Sequence, residues 1–135
     1  MIKSLIENAE FRNEFVIELK EFVQEFEDAL ESIKKQTNID DNINILVRIH
    51  HTLKGDIGIF ELDNFVKFFR ALELFLRKFS DPQKFIKIFN TLFPILTESL
   101  NLIRELLNQV IKKDISDLDL RFVNKIETDL EKILL

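Results

Sequence analysis

The chain has no cysteine, tryptophan or tyrosine, and it has only two glycines and two prolines in 135 residues. The absence of cysteine excludes disulfides, thiolate catalysis and zinc sites built on cysteine. With so little glycine and proline, the sequence has few of the turns that a β-sheet needs, which favours an all-helical fold. All fourteen aromatic residues are phenylalanines, and this composition is typical of a dry, apolar core.

The chain also lacks an excess of positive charge and any long apolar run. It has 19 Lys and Arg residues against 24 Asp and Glu, for a formal net charge of -5, and both signs are mixed along the sequence. This pattern argues against a nucleic-acid partner. No stretch reaches the ~18 apolar residues of a membrane helix, and the N-terminus does not resemble a signal peptide. We therefore expect one soluble, cytoplasmic domain over residues 1–135, without membrane insertion.

Apolar residues recur every three or four positions through most of the chain, which is the period of an amphipathic helix. The pattern predicts an all-α fold, an antiparallel four-helix bundle with an additional C-terminal helix. Asp40 or Asp41 is the predicted N-cap of the second helix, and Ser116 with Asp117 that of the last. Pro94 predicts a kink or a short break in the fourth helix. The predicted helices cover roughly residues 8–36, 41–59, 62–79, 82–113 and 116–134.

The segment 48–60 of the second predicted helix contains both histidines and both glycines of the chain. At 100° per residue, His51 lies about 160° from the centre of the apolar stripe and so points outward. Gly55 and Gly58 lie within about 40° of His51. Because a glycine inside a helix costs about 1 kcal/mol relative to alanine, this bare surface indicates a local requirement, which we interpret as clearance for a docking partner. His50 lies at the edge of the stripe, where we expect a boundary side chain. The stripe consists of Leu46, Ile49, Leu53, Ile57 and Phe60.

The predicted hairpin between the second and third helices places a glutamate level with His51. If Leu62 is the turn, His51 and Glu73 are each eleven residues away from it, and a small rotation of the helices would bring them into contact. Glu73 lies within the apolar stripe of its helix, where an unpaired carboxylate is costly. A carboxylate that holds one imidazole nitrogen fixes the tautomer and makes the other nitrogen a better nucleophile.

Basic residues near His51 complete a pattern suited to phosphoryl transfer. Lys54, one turn after His51, is the predicted contact of an incoming phosphoryl oxygen, and Arg48 and Arg70 are weaker candidates. A hydrolase would need a second acid or base and a substrate pocket. A di-iron site is excluded because neither histidine has a glutamate three residues before it. No metal and no cofactor site is therefore expected in the domain.

The residues His51-Thr52-Leu53-Lys54-Gly55, followed by Gly58 and Phe60, resemble the histidine-containing phosphotransfer (Hpt) domain. The resemblance is greatest to the N-terminal phosphotransfer domain of chemotaxis-type histidine kinases. It implies phosphorylation of His51 at Nε2 and a hydrogen bond between His51 and Glu73. It also matches the family's motif lysine and glycine to Lys54 and Gly55.

Three other positions bear on the resemblance. Arg48 matches an arginine often found three residues before the histidine. Arg70 stands where chemotaxis members usually have a second basic residue or a histidine. Glu61 stands where a glycine commonly follows the motif phenylalanine.

The resemblance implies that the domain takes a phosphoryl group from a histidine kinase catalytic domain and passes it to an aspartate of a response-regulator receiver domain. ATP and Mg²⁺ are then expected on these partner domains, and no independent turnover is expected. The alternative is a non-catalytic helical interaction module, a degenerate Hpt fold used only for docking. The sequence fits either a complete protein or the N-terminal part of a larger kinase.

Overall fold

The computed structural model describes residues 2–79 and 81–134, with side-chain environments from Leu5 onward. The described residues form helices joined by short turns and contain no strand. The predicted all-α bundle with a C-terminal helix is confirmed. The helices are α1 (Ile2–Glu7), α2 (Ala9–Lys34), α3 (Ile39–Gly58), α4 (Asp63–Arg77), α5 (Pro82–Lys112) and α6 (Leu120–Leu134).

The predicted helix over residues 8–36 is observed as α2 (Ala9–Lys34), and a short helix that was not predicted, α1, precedes it. The side chain of Asn8 marks the start of α2, because it accepts a hydrogen bond from the backbone N–H of Phe11. The predicted caps of the second helix are wrong, since α3 begins at Ile39 and its N-cap is not an aspartate. Asp40 and Asp41 instead lie in the first turn of α3, where a negative charge is favourable next to the helix dipole.

Asp117 does not cap the last helix, which begins only at Leu120. Its carboxylate instead accepts hydrogen bonds of 3.0 Å each from the backbone N–H groups of Asn64 and Phe65. These are unpaired donors in the first turn of α4. Within the described part of the chain, α4 has no side-chain cap at its own N-cap residue. The segment before α6 therefore satisfies the N-terminus of α4.

The helix that contains Pro94 is continuous, so the short break considered from the sequence does not occur. α5 runs from Pro82 to Lys112. Asp81 caps its N-terminus by accepting a hydrogen bond from the backbone N–H of Gln83 at 3.0 Å, and proline occupies the first helical position. The long, uninterrupted α5 lies against α2 and α6.

The core is formed mainly by phenylalanine, leucine and isoleucine side chains from the facing sides of the helices. α3 lies between α2 and α4, so its apolar stripe is covered on both sides. Every residue of the predicted stripe is buried, which fixes the rotation of α3 and leaves its opposite face in solvent. These stripe residues are Leu46, Ile49, Leu53, Ile57 and Phe60.

The turn between α3 and α4 contains Glu61 in a left-handed conformation, with φ at 59°. A residue with a Cβ atom is disfavoured there by about 1 kcal/mol, whereas glycine adopts this conformation readily. This is the position at which the resemblance indicated that a glycine is common. The turn therefore keeps the backbone shape of a glycine turn without the glycine.

Two carboxyl groups meet in the seam between α2 and α3. Glu18 Oε1 and Asp56 Oδ2 are buried. Apart from the other carboxyl group, neither atom has a hydrogen-bond partner within the described residues. Burial, together with a hydrogen bond to Asp56 and its charge, raises the pKa of Glu18 to about 8. One proton shared by the two side chains accounts for both otherwise unpaired oxygens.

This pair predicts a pH dependence of stability. In the unfolded chain Glu18 has its ordinary pKa of 4.5, against about 8 in the folded domain, so the folded state holds a proton that the unfolded state releases. The stabilisation is fully present below pH 4.5 and is lost as the pH rises through about 8. The free energy of unfolding, measured with urea, should therefore fall as the pH rises from about 6 to about 8, and it should level off above about pH 8.

Glu18→Gln should flatten this fall, because the amide keeps an N–H donor for Asp56 at every pH. Glu105→Gln, which changes an exposed glutamate of α5, is the matched control and should keep the pH slope of the wild type. Equal slopes in wild type and Glu18→Gln would contradict the shared proton.

Candidate functional site

His51 and Glu73 face each other across the α3–α4 interface. The His51 side chain is 59 % exposed and the Glu73 side chain 5 %, and Nδ1 of His51 lies 3.0 Å from Oε2 of Glu73. An ionised carboxylate can only accept, so Nδ1 carries the proton and the neutral ring keeps its lone pair on Nε2. The site thus contains an imidazole whose Nδ1 is hydrogen-bonded to the protein and whose Nε2 is available on the exposed side.

Glu73 also accepts hydrogen bonds from two cationic side chains. Lys54 Nζ lies 2.8 Å from Oε1, and Arg77 reaches Oε2 with both Nε and Nη2 at 2.8 Å. Burial alone would raise the pKa of Glu73, but the hydrogen bonds from Lys54, Arg77 and His51 outweigh burial and lower the pKa to about 2. The carboxylate is therefore ionised at every pH at which the domain would work.

The three basic residues predicted near His51 have different environments in the structure. Lys54 is 26 % exposed and lies on Glu73. Arg48 instead pairs with Glu25 on α2. Arg70 is exposed on α4, one turn before Glu73, and makes no hydrogen bond or ion pair within residues 2–79 and 81–134.

Arg77 belongs to the site but was not predicted from the sequence. It lies one helical turn after Glu73 and is half exposed. A glutamate followed four residues later by a basic residue is a known helical pair, and this spacing was the available signal. Such pairs are frequent on helix surfaces, so the spacing alone does not distinguish Arg77 from other lysines and arginines of the chain.

Gly55 and Gly58 lie on the exposed side of α3, after His51. A Cβ atom added at either position would meet no described atom within 4 Å, and neither glycine has a positive φ. The chain's own packing and backbone therefore do not require glycine at these positions.

His50 is fully buried, so the predicted boundary position is wrong. Its Nδ1 donates to the carbonyl of Leu46 at 2.7 Å, and its Nε2 lies 2.8 Å from the hydroxyl of Ser99 on α5. Because the carbonyl can only accept, the neutral ring accepts the Ser99 proton at Nε2. Burial lowers the pKa of His50 to about 4. His50 is thus a neutral core residue that links α3 to α5, and its ring nitrogens are not accessible.

The described residues contain neither a metal-binding cluster nor a membrane-spanning helix. No group of three or more histidine, aspartate or glutamate side chains is placed to hold a metal ion there. No helix in the described ranges is long and apolar enough to cross a membrane.

Comparison with known proteins assigns the family. The Hpt domain model matches residues 10–113, which is more than half of the chain. Searches of curated proteins and of solved structures give no significant match. Hpt domains transfer phosphoryl groups through a histidine in phosphorelays, together with kinases and response regulators. The chain belongs to the Hpt domain family.

Proposed function

We propose that His51 is the residue that carries the phosphoryl group. It would accept the group from a histidine kinase catalytic domain and donate it to an aspartate of a response-regulator receiver domain. The observation that carries this proposal is the exposed imidazole whose Nδ1–H is held by a buried, ionised carboxylate. The other histidine of the chain, His50, is enclosed in the core and is excluded as an acceptor by its burial.

The first transfer step uses the Nε2 lone pair of His51. This lone pair forms a bond to the γ-phosphorus of ATP on the kinase while the bond from that phosphorus to the bridging oxygen breaks, and ADP leaves with the electron pair. The ring keeps its Nδ1 proton and becomes positively charged. Glu73, 3.0 Å from Nδ1, stabilises this charge as it develops.

In the second step a carboxylate oxygen of the receiver attacks the phosphorus. The P–N bond breaks and its electron pair returns to Nε2, which restores the neutral imidazole. Both partners would supply their own Mg²⁺, and the kinase would supply ATP. The domain itself needs neither a bound cofactor nor independent turnover in this scheme.

Lys54 and Arg70 are the basic residues best placed to contact the phosphoryl group. Lys54 is one turn from His51 and lies on Glu73, so its ammonium group is close to the imidazole. Arg70 is exposed, and no described carboxylate holds it. Arg48 is a weaker candidate because Glu25 already pairs with it.

Gly55 and Gly58 provide clearance for a partner. The space around both glycines is open, so the backbone of another protein can approach α3 beside His51. We propose a chemotaxis-type kinase as the phosphoryl donor, in the cytoplasm, because the motif of this chain resembles that class.

Phosphorylation can be tested with a histidine kinase catalytic domain and radiolabelled ATP. The wild type should acquire an acid-labile label that peptide mapping places on His51, and His51→Gln should acquire none. Glu73→Ala should be labelled about 10- to 100-fold more slowly, which is the loss found when the carboxylate that orients a metal-ligating imidazole is removed. Circular dichroism should show an unchanged helical fold in both variants.

Three outcomes would contradict the roles assigned to His51 and Glu73. Label retained in His51→Gln would mean that another residue is the acceptor. No label on the wild type with several active kinases would favour a domain used only for docking. A normal rate for Glu73→Ala would remove the orienting role from Glu73.

The clearance role of Gly55 makes a separate prediction about stability and transfer. Gly55→Ala should increase the free energy of unfolding by about 0.5–1 kcal/mol, because alanine is the better helix former and its Cβ meets no described atom. Gly55→Leu should also fold, but it should slow phosphoryl transfer to the receiver. Asn108→Leu, which adds the same side chain to an exposed position of α5, is the control and should transfer normally. Normal transfer by Gly55→Leu would refute the clearance role.

A further inference from the structure

The carboxylate of Glu73 is held by two cations, and they are divided between its oxygens. Lys54 donates to Oε1 at 2.8 Å. Arg77 donates to Oε2 from Nε at 2.8 Å, and its Nη2 also lies 2.8 Å from that oxygen. Oε2 is also the oxygen that accepts from His51 Nδ1 at 3.0 Å. Arg77 therefore binds the same oxygen on which the imidazole depends.

This arrangement differs from an ordinary surface ion pair. Exposed pairs four residues apart on a helix contribute little, because both groups remain solvated. Here Arg77 is half exposed, but its acceptor is only 5 % exposed. Two nitrogens of the planar guanidinium lie against that one oxygen, and such a rigid donor group favours a defined direction of approach. Arg77 is thus positioned to determine how the carboxylate of Glu73 is oriented.

The charge balance changes when His51 receives a phosphoryl group. Before transfer, Lys54 and Arg77 together carry two positive charges against the single negative charge of Glu73. A phosphoryl group on Nε2 brings new negative charge beside Lys54, whose flexible ammonium group can move toward it. If Lys54 moves, Arg77 is the cation that stays on Glu73. Without Arg77 the buried carboxylate would keep only the phosphorylated His51 ring as a positively charged partner, and removing partners from a buried charge is unfavourable.

We propose that Arg77 is a positioning residue of the phosphotransfer site, which holds the Glu73 carboxylate toward His51 and keeps it paired while Lys54 turns to the phosphoryl group. This inference rests on the proposed function of His51. Arg77 acts through Glu73 and makes no contact with the phosphoryl group. Its effect on transfer must therefore disappear when Glu73 can no longer act as a carboxylate.

The kinetic test compares phosphorylation rates of five variants with the same kinase domain and ATP. Arg77→Met should slow the reaction about tenfold, at the low end of the range for groups that support a reacting side chain, and Arg77→Lys should restore part of the rate. Lys78→Met removes one positive charge from the next residue, which is exposed and makes no described side-chain contact with the site, and it should react like the wild type. Glu73→Gln should itself be phosphorylated slowly, and adding Arg77→Met to it should not lower the phosphorylation rate further.

A second measurement needs no phosphorylation. The carboxyl carbon of Glu73, followed by NMR as the pH is lowered, reports its protonation directly. Burial favours the neutral acid, but the donors Lys54, Arg77 and His51 overcome burial and hold the pKa of Glu73 at about 2. Loss of Arg77 should make the proton dissociation constant at least about tenfold smaller, a shift of one pH unit. Lys78→Met should not change it.

The outcomes separate this inference from the proposed function. No label on the wild type overturns the proposed function and the role of Arg77 within it, whatever the titration shows. A labelled wild type with equal rates for Arg77→Met and Lys78→Met overturns only the inference about Arg77. An unchanged titration of Glu73 in Arg77→Met would also overturn only the inference about Arg77. If Arg77→Met lowers the phosphorylation rate by the same factor in the wild type and in Glu73→Gln, Arg77 does not act through Glu73, and the inference is overturned.

Discussion

The ionised carboxylate of Glu73 is the group on which the arrangement of the site depends. A charge in the α3–α4 interface is tolerated only if its oxygens are fully hydrogen-bonded, and the donors come from both helices: Lys54 and His51 from α3, and Arg77 from α4. Sliding one helix along the other would remove donors from a buried anion. Because the buried carboxylate needs these hydrogen-bond donors, it fixes the register of the two helices and the position of the imidazole.

Adjacent histidines have opposite environments because they differ by 100° around one helix. His50 points into the core, where the Leu46 carbonyl and the Ser99 hydroxyl satisfy both ring nitrogens. His51 points outward, where only Nδ1 is engaged by the protein. Burial keeps the first ring neutral by lowering its pKa to about 4. The pair shows that accessibility of the second nitrogen distinguishes a structural imidazole from a reactive one.

Helix periodicity was sufficient to predict the all-α bundle and the buried stripe of α3, because each depends on residues close in sequence. Counting from the hairpin turn placed Glu73 level with His51, and their side chains lie within hydrogen-bond distance. The misses have two causes: one contact joins residues far apart in the sequence, and the other uses a local spacing that does not distinguish it from ordinary pairs. Ser99 meets His50 from 49 positions away. Arg77 shares its helical spacing with many ordinary surface pairs.

The region of the chain that matches the family ends at residue 113, but the bundle uses residues beyond it. The carboxylate of Asp117 holds the first backbone N–H groups of α4, and the Asn64 side chain donates to the carbonyl of Leu118 at 2.8 Å. A helix cap of this kind contributes about 1 kcal/mol. The helix that carries Glu73 is therefore anchored at its start by a segment outside the family boundary. In this chain the hydrogen bonds that hold the bundle together extend past the region that matches the family.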